Sequence, residues 1–219
     1  MKKILYSVMF GADAYPFQDL AEEIRVVRSP DAIIDPNSLL VVWGGADISP
    51  SLYNHPTSKR TYCYSNRDVI EWACMQKAKT LGIPIIGVCR GAQMLCALAG
   101  GFLIQDVQNH AGRGHMVTTY DGSVLPVNSI HHQMMCGLEN TKHELLAWSS
   151  VNLSKEYIYK NDLVYKPDAE FREPEAVWFS DVKGLAIQWH PEAMVENCEA
   201  TEFVIKEYHA RCEPVAQAA

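Results

Sequence analysis

The sequence predicts a three-layer α/β domain whose central sheet is mostly parallel, with added antiparallel strands. Residues 39–43 and 84–88 are almost wholly apolar, as is typical of strands buried on both faces of a parallel sheet. A helical pattern lies between these runs and another follows the second, giving the alternation expected of such a fold. Short β-rich segments in the second half of the chain predict the antiparallel additions.

In the first part of the chain, Ile4 to Val8 is β-rich and predicts the first strand. We expect a helix over Phe17 to Arg25. The strand at 39–43 ends at Gly44-Gly45, which predicts a tight loop at the sheet edge where active sites usually lie, although a plain turn is the alternative.

Residues 65–68 (Ser-Asn-Arg-Asp) resemble a capping box and predict a helix that ends near Gly82. In this interpretation Asp68 is a helix cap rather than a substrate contact. An apolar helix is predicted over 92–99 before Gly100-Gly101, and a last helix around 194–209. Later strands are predicted near 117–120, 124–127, 145–148, 176–179 and 185–189.

The composition fits one globular domain, since the chain has 219 residues, of which 48% are hydrophobic and 21% charged. We expect a single catalytic domain over 1–212 and a disordered tail over 213–219. The net charge of −7 argues against a nucleic-acid or anionic-membrane surface. No apolar run approaches the roughly 18 residues of a membrane span.

The expected location is the cytoplasm. The seven cysteines show no paired or metal-like spacing, which is typical of thiols in a reducing compartment. Met1 to Ala14 imitates a secretory signal, but its apolar run is short, is interrupted by Ser7 and suits a core strand better.

Cys89 is the predicted nucleophile. It lies between Gly87 and Gly91 at a strand-to-helix turn, which is the cysteine version of the G-x-S-x-G elbow. The N-terminus of the next helix favours a thiolate and offers backbone N–H groups to an oxyanion. The alternative, a buried core cysteine, does not explain the flanking glycines.

His190 is the predicted base, and Glu192 is its partner. Residues i and i+2 of an extended segment share a face, so Glu192 can accept the imidazole N–H and fix the tautomer. A lone histidine at a strand end is more often structural, but one paired with an elbow cysteine favours catalysis.

These motifs carry a resemblance to a known superfamily. Residues 84–93 (Pro-Ile-Ile-Gly-Val-Cys-Arg-Gly-Ala-Gln) and 188–192 (Gln-Trp-His-Pro-Glu) resemble the class I glutamine amidotransferases. Within that superfamily the chain is most similar to stand-alone γ-glutamyl hydrolases of the γ-glutamyl-γ-aminobutyrate hydrolase type, peptidase C26. Arg90, residues 44–50, Arg67-Asp68 and residues 128–133 carry this closer similarity.

The resemblance implies hydrolysis of a γ-glutamyl amide through a thioester on Cys89, with His190 and Glu192 completing the triad. It implies an oxyanion hole made by the backbone N–H groups of Gly45 and Arg90. The substrate-binding residues that it implies are Gly44, Gln93, Ser129 and His131.

We expect no cofactor and no metal, because His110, His115, His131 and His132 lack the spacing of known ligand pairs. The expected partner is a small γ-glutamyl substrate, without nucleic acid or membrane. A separate synthetase that receives ammonia and a second copy of the chain stay open as further partners. A non-catalytic regulatory protein with the same fold is the remaining alternative, and the intact triad argues against it.

Overall fold

The computed structural model describes residues 2–10 and 13–212, so the predicted tail at 213–219 lies outside the described residues. The α-helices are α1 (Ser65–Leu81), α2 (Arg90–Ala99) and α3 (Glu199–Cys212). The strands are β1 (Ile4–Val8), β2 (Glu23–Val27), β3 (Ser38–Val42), β4 (Ile85–Val88), β5 (Phe102–Ile104), β6 (Asp106–Val107), β7 (His115–Thr119), β8 (Val124–Val127), β9 (Met134–Cys136), β10 (His143–Ser149), β11 (Tyr157–Tyr159), β12 (Leu163–Tyr165), β13 (Pro174–Phe179) and β14 (Gly184–Ile187).

The main sheet is mixed and has the strand order β2-β1-β3-β4-β14-β13-β10-β7-β8. Neighbours from β2 to β14 in this order are parallel, and neighbours from β14 to β8 are antiparallel. The predicted α/β fold with a parallel core and antiparallel additions is therefore confirmed.

Apolar side chains fill both faces of this sheet. Leu40 and Val42 of β3 point into the core that α1 and α2 cover, because alternate residues of a strand face opposite sides. Leu39 and Val41 belong to the second core, which includes residues of α3. The result is a sheet between two helical layers.

Strand register brings the predicted site residues to one edge of the sheet. In the parallel pairs, Val42 lies opposite Gly87 and Ile187 lies opposite Val88. The loops that follow β3, β4 and β14 therefore leave the sheet side by side. These loops carry Gly44-Gly45, Cys89 and His190.

The predicted helix at 17–25 is wrong. A short 3₁₀ segment, Gln18–Leu20, is followed by strand β2, which pairs in parallel with β1 at the sheet edge. The β-branched residues Ile24, Val26 and Val27 favour this edge strand over a helix. The last helix also begins later than predicted, at Glu199.

The predicted capping box before α1 is wrong as well. The N-cap is Tyr64, which makes no side-chain capping hydrogen bond. Asp68 instead accepts the backbone N–H of Ser49 at 3.0 Å and pairs with Arg90. The end of α1 is as predicted, since Gly82 adopts a left-handed φ of 69°.

Two small sheets were not predicted, namely β12-β11-β6 and β5-β9. Their strands have two or three residues each, which is too short to give a clear period in the sequence. In the described part of the chain, no helix is long and apolar enough to cross a membrane.

Close packing fixes the turn between β4 and α2. A Cβ placed on Gly91 would collide with the backbone carbonyl of Val42, and one placed on Gly87 would collide with the backbone of Gly91. The helix can therefore approach β3 only because these positions have no side chain.

We expect Gly91→Ala to lower the free energy of unfolding by about 3 kcal/mol, the upper end of the usual cost of overpacking. The matched control is Gly122→Ala, where nothing lies within 4 Å of the new Cβ and only the φ of 87° opposes the substitution. That control should cost about 1–2 kcal/mol. Denaturant unfolding measures both, and a Gly91→Ala protein as stable as the wild type would contradict the packing argument.

Candidate active site

Cys89 has a backbone conformation that few residues adopt. Its φ is 48° and its ψ is −101°, and it stands at the N-cap position of α2. Such a conformation costs on the order of 1–3 kcal/mol and is typical of functional sites. The Cys89 N–H donates to the Ile187 carbonyl at 2.7 Å, which ties the turn to β14. The predicted nucleophile elbow is therefore the geometry that the chain adopts.

His190 and Glu192 form a close pair. Nδ1 of His190 lies 2.7 Å from Oε1 of Glu192. The other ring nitrogen, Nε2, is buried and makes no hydrogen bond of ordinary geometry, while the Cys89 side chain is near enough to interact with the ring. Burial favours the neutral ring, but interactions with Cys89 and Glu192 outweigh it and raise the pKa of His190 to about 10.

Asn128 and Gly44 hold His190 in place. The Asn128 side chain donates to the His190 carbonyl and accepts the His190 N–H, both at 2.8 Å. A Cβ at Gly44 would collide with Cε1 of the imidazole, so the glycine allows the ring to lie against the loop. The backbone and the ring of His190 are therefore fixed independently.

Arg67 supports the Gly44-Gly45 loop. Its Nη2 donates to the carbonyls of Gly44 at 2.8 Å and Trp43 at 3.3 Å. Gly45 has a φ of 149°, and a Cβ there would collide with the guanidinium. The loop conformation therefore depends on a glycine at 45 and an arginine at 67.

Glu71 connects this loop to the turn that carries Cys89. Its Oε1 lies 2.6 Å from Nε of Arg67, and its Oε2 pairs with the guanidinium of Arg90. Arg90 also pairs with Asp68. The cluster holds two arginines and two carboxylates, so its formal charges cancel, as burial requires. Burial and the neighbouring Arg67 lower the pKa of Arg90 to about 10.

A cavity of about 450 Å³ opens beside His190. It is lined by Phe10, Asp13, Tyr15, Trp43, Gly44, Gly45, Arg67, His190 and Glu192. A larger depression of about 750 Å³ lies between residues 136–145 and 165–174 and contains none of the predicted site residues. The cavity at His190 has the size and the mixed aromatic and polar lining of a small-molecule site.

The structure places Cys89, His190, Glu192, Gly44, Gly45 and Arg90 at one edge of the sheet. As the first residue of α2, Arg90 has a backbone N–H that the helix does not use for its own hydrogen bonds. Gly45 lines the cavity beside His190.

Three predicted substrate residues lie elsewhere. Gln93 is buried, and its amide donates to the Gln133 carbonyl at 3.0 Å. The Ser129 hydroxyl donates to the His110 carbonyl, and Nδ1 of His131 lies 2.9 Å from the Gln133 carbonyl. None of the three is among the described residues that line the cavity. We assign them to the framework of the site, because each has a polar side-chain atom engaged with a backbone carbonyl.

Sequence reasoning missed the roles of Asn128, Glu71 and Arg67. All three lie in or next to segments that resemble family motifs, but their roles depend on partners 4 to 62 positions away in the chain. Helical i,i+4 spacing could have indicated the Arg67–Glu71 pair, but no local spacing indicates the contacts of Arg67 with Gly44 or of Asn128 with His190. The resemblance of Arg67-Asp68 and residues 128–133 to family motifs was the available signal for these segments.

The described fold resembles solved structures of the same architecture. One is a glutamine amidotransferase from Thermotoga maritima, with a TM-score of 0.58, 15% sequence identity and coverage of 94% of this chain and 82% of that chain. The fold and the sequence matches together place the chain in the class I glutamine amidotransferase-like superfamily.

Sequence comparisons identify the family. The Peptidase C26 profile matches residues 25–153. The "Putative glutamine amidotransferase-like protein YvdE" of Lactococcus lactis is 30% identical over 207 residues, covering 83% of this chain and 79% of the relative. Protein NtpR of Enterococcus hirae is 29% identical over 188 residues, covering 75% and 71%. The chain belongs to the Peptidase C26 family.

The raised pKa of His190 has a testable cause. We expect Glu192→Gln and Cys89→Ser each to lower this pKa, because each removes a group that favours the protonated ring. Histidine titration by NMR measures the change, and Glu196→Gln, at an exposed position, is the matched control. An unchanged midpoint in both variants would contradict the assigned contacts.

The same shift predicts a pH dependence of stability. The pKa of His190 rises from 6.5 to about 10 on folding. The stability that the protonated ring adds to the folded state is therefore fully present below about pH 6.5 and is lost as the pH rises through about 10. The wild type should therefore lose its stability advantage over His190→Gln across this window. A constant difference in the free energy of unfolding from pH 6.5 to 10 would contradict the prediction.

Proposed function

We propose that the protein hydrolyses a γ-glutamyl amide, either glutamine or a γ-glutamyl amine, through a thioester on Cys89. The observation that carries the proposal is the strained Cys89 at the start of α2, next to a His190 ring that Glu192 holds at 2.7 Å. Membership of the Peptidase C26 family supports the same chemistry.

In the first step, the Cys89 thiolate attacks the γ-carbonyl carbon of the substrate. The protonated His190 gives its Nε2 proton to the amine nitrogen, the carbon–nitrogen bond breaks, and a γ-glutamyl thioester remains on Cys89. The raised pKa of His190 supports this role, since a ring that is protonated at neutral pH can give a proton to the leaving amine.

The tetrahedral intermediate carries a negative oxygen that needs N–H donors. We assign this role to the backbone N–H groups of Gly45 and Arg90. The two donors come from different loops, and the Glu71 carboxylate joins those loops through Arg67 and Arg90. This arrangement supports a preformed oxyanion hole that needs no rearrangement during the reaction.

In the second step, the neutral His190 takes a proton from water, and the hydroxide attacks the thioester. Glutamate leaves and the Cys89 thiolate is restored, while the proton taken from water stays on His190, which regenerates the starting pair. Glu192 keeps Nδ1 protonated in both steps, so that Nε2 is the nitrogen that exchanges the proton.

The cavity beside His190 is our candidate for the substrate pocket. Arg67 supplies positive charge there, Asp13 and Glu192 supply negative charge, and Phe10, Tyr15 and Trp43 supply aromatic surface. A γ-glutamyl compound carries both an α-amino group and an α-carboxylate, so a lining of both signs suits it. The leaving amine would also lie in this cavity.

Purified protein should release glutamate from at least one compound in a panel of glutamine and γ-glutamyl amines. Cys89→Ala should remain folded and lose activity by about a thousand-fold or more, because the thioester cannot form. Cys198→Ala is the matched control, since Cys198 is half-buried and stands outside the triad.

Two outcomes separate the alternatives. Activity that appears only in the presence of a co-purified synthetase would favour a glutaminase subunit over a stand-alone hydrolase. Complete inertness across the panel, together with equal iodoacetamide labelling of Cys89 and Cys198, would contradict the proposal and favour a non-catalytic protein.

A further inference from the structure

Three histidines and two glutamates form a buried polar cluster away from the cavity. Their side chains are between 0% and 8% exposed. They come from four segments: before β7, the start of β7, the loop after β8, and the residues just before and at the start of β13. The cluster consists of His110, His115, His131, Glu173 and Glu175.

Three ring nitrogens converge on one carboxylate oxygen, Oε1 of Glu175. It lies 2.9 Å from Nε2 of His115, 3.4 Å from Nδ1 of His110 and 3.6 Å from Nε2 of His131. Four ligands placed about 2.0–2.1 Å from a tetrahedral ion are themselves about 3.3 Å apart. The donor atoms of His110, His115 and Glu175 all lie within 4.8 Å of one another, so small side-chain adjustments would place these three around one ion.

The far nitrogen of His110 has the partner that a metal-binding histidine needs. Nε2 of His110 lies 3.0 Å from Oε2 of Glu173. Glu173 is itself held by the backbone N–H groups of Leu153 and Ser154, at 2.8 and 2.9 Å. A carboxylate that accepts one imidazole N–H leaves the other nitrogen with its lone pair toward the ion, a common arrangement around zinc.

His131 gives an independent indication that something fills the cluster. Its Nδ1 lies 2.9 Å from the Gln133 carbonyl, which can only accept, so Nδ1 carries a proton. The side chain is 1% exposed, and its Nε2 has no hydrogen-bond partner and lies 3.6 Å from Oε1 of Glu175. A buried ring nitrogen without a partner, aimed at the oxygen that two other rings also face, indicates that a further group belongs in the cluster.

We propose that His110, His115 and Glu175 bind one divalent transition-metal ion, with zinc as the best match to two imidazoles and one carboxylate and His131 beside them. Its two charges balance those of Glu175 and Glu173, so the buried cluster becomes neutral. The exposed residues 111–114, between the first two histidines, offer the ion a route to the site.

The ion would be structural rather than catalytic. It would cross-link β7, β13 and the segment before β7. In that segment the His110 carbonyl accepts the hydroxyl of Ser129, which follows Asn128, the residue that holds the His190 backbone. Sequence spacing indicated no metal because the ligands come from separate segments. The proposal does not depend on the reaction assigned to Cys89.

The test uses the full chain after removal of metal with a chelator, with Co²⁺ as the spectroscopic probe and Zn²⁺ as the competitor. We expect one Co²⁺ per chain with the visible absorption of a tetrahedral site, displacement by Zn²⁺, and a higher melting temperature in the loaded protein. Cys89→Ser should bind equally well, because no thiolate is involved.

His115→Gln and Glu175→Gln should each weaken Co²⁺ binding by about a hundred-fold or more, whereas the exposed His143→Gln should not. Circular dichroism checks folding, and if Glu175→Gln fails to fold, His115→Gln decides the test. Absence of Co²⁺ and Zn²⁺ binding by the folded wild type at micromolar concentrations would overturn the proposal. Unchanged affinity in folded His115→Gln, or loss of binding in Cys89→Ser, would overturn it too.

Discussion

The backbone of Cys89 is the constraint on which the arrangement of the site depends. A φ of 48° at a residue with a side chain is held only if its surroundings leave no alternative. On one side, Gly91 lets α2 pack directly against β3, and Gly87 lets the start of α2 pack against β4. On the other side, the hydrogen bond from the Cys89 N–H to the Ile187 carbonyl fixes the turn to β14, the strand that leads to His190.

A buried carboxylate extends this constraint to the facing loop. Glu71 contacts Arg90, next to Cys89, and Arg67, which holds the Gly44-Gly45 loop through its carbonyls. Removing one member of a buried charged cluster leaves the others unpaired, which is expensive. Moving apart the two loops that would bind an oxyanion would therefore leave buried charges unpaired. The free energy of that loss favours the observed position of the loops.

The sequence allowed the β-strands and helices next to the site to be predicted, because those signals are local. The apolar runs before Gly44 and Cys89 and the glycines around Cys89 need no knowledge of distant contacts. By contrast, the partners of Asn128, Arg90 and His110 depend on strand order and register, which no spacing encodes. The error at 17–25 has two origins: the β-branched residues of β2 lie at the end of that range and beyond it, and the pairing with β1 is not visible in the local sequence.

The most direct measurement is a search for the acyl intermediate on Cys89. The protein is mixed with an activated γ-glutamyl anilide, quenched in acid, digested and examined by mass spectrometry. The account predicts one glutamyl acyl group on the Cys89 peptide, removed by hydroxylamine and absent from Cys89→Ser. Glutamate release without any adduct on Cys89, or with an adduct on another residue, would contradict it.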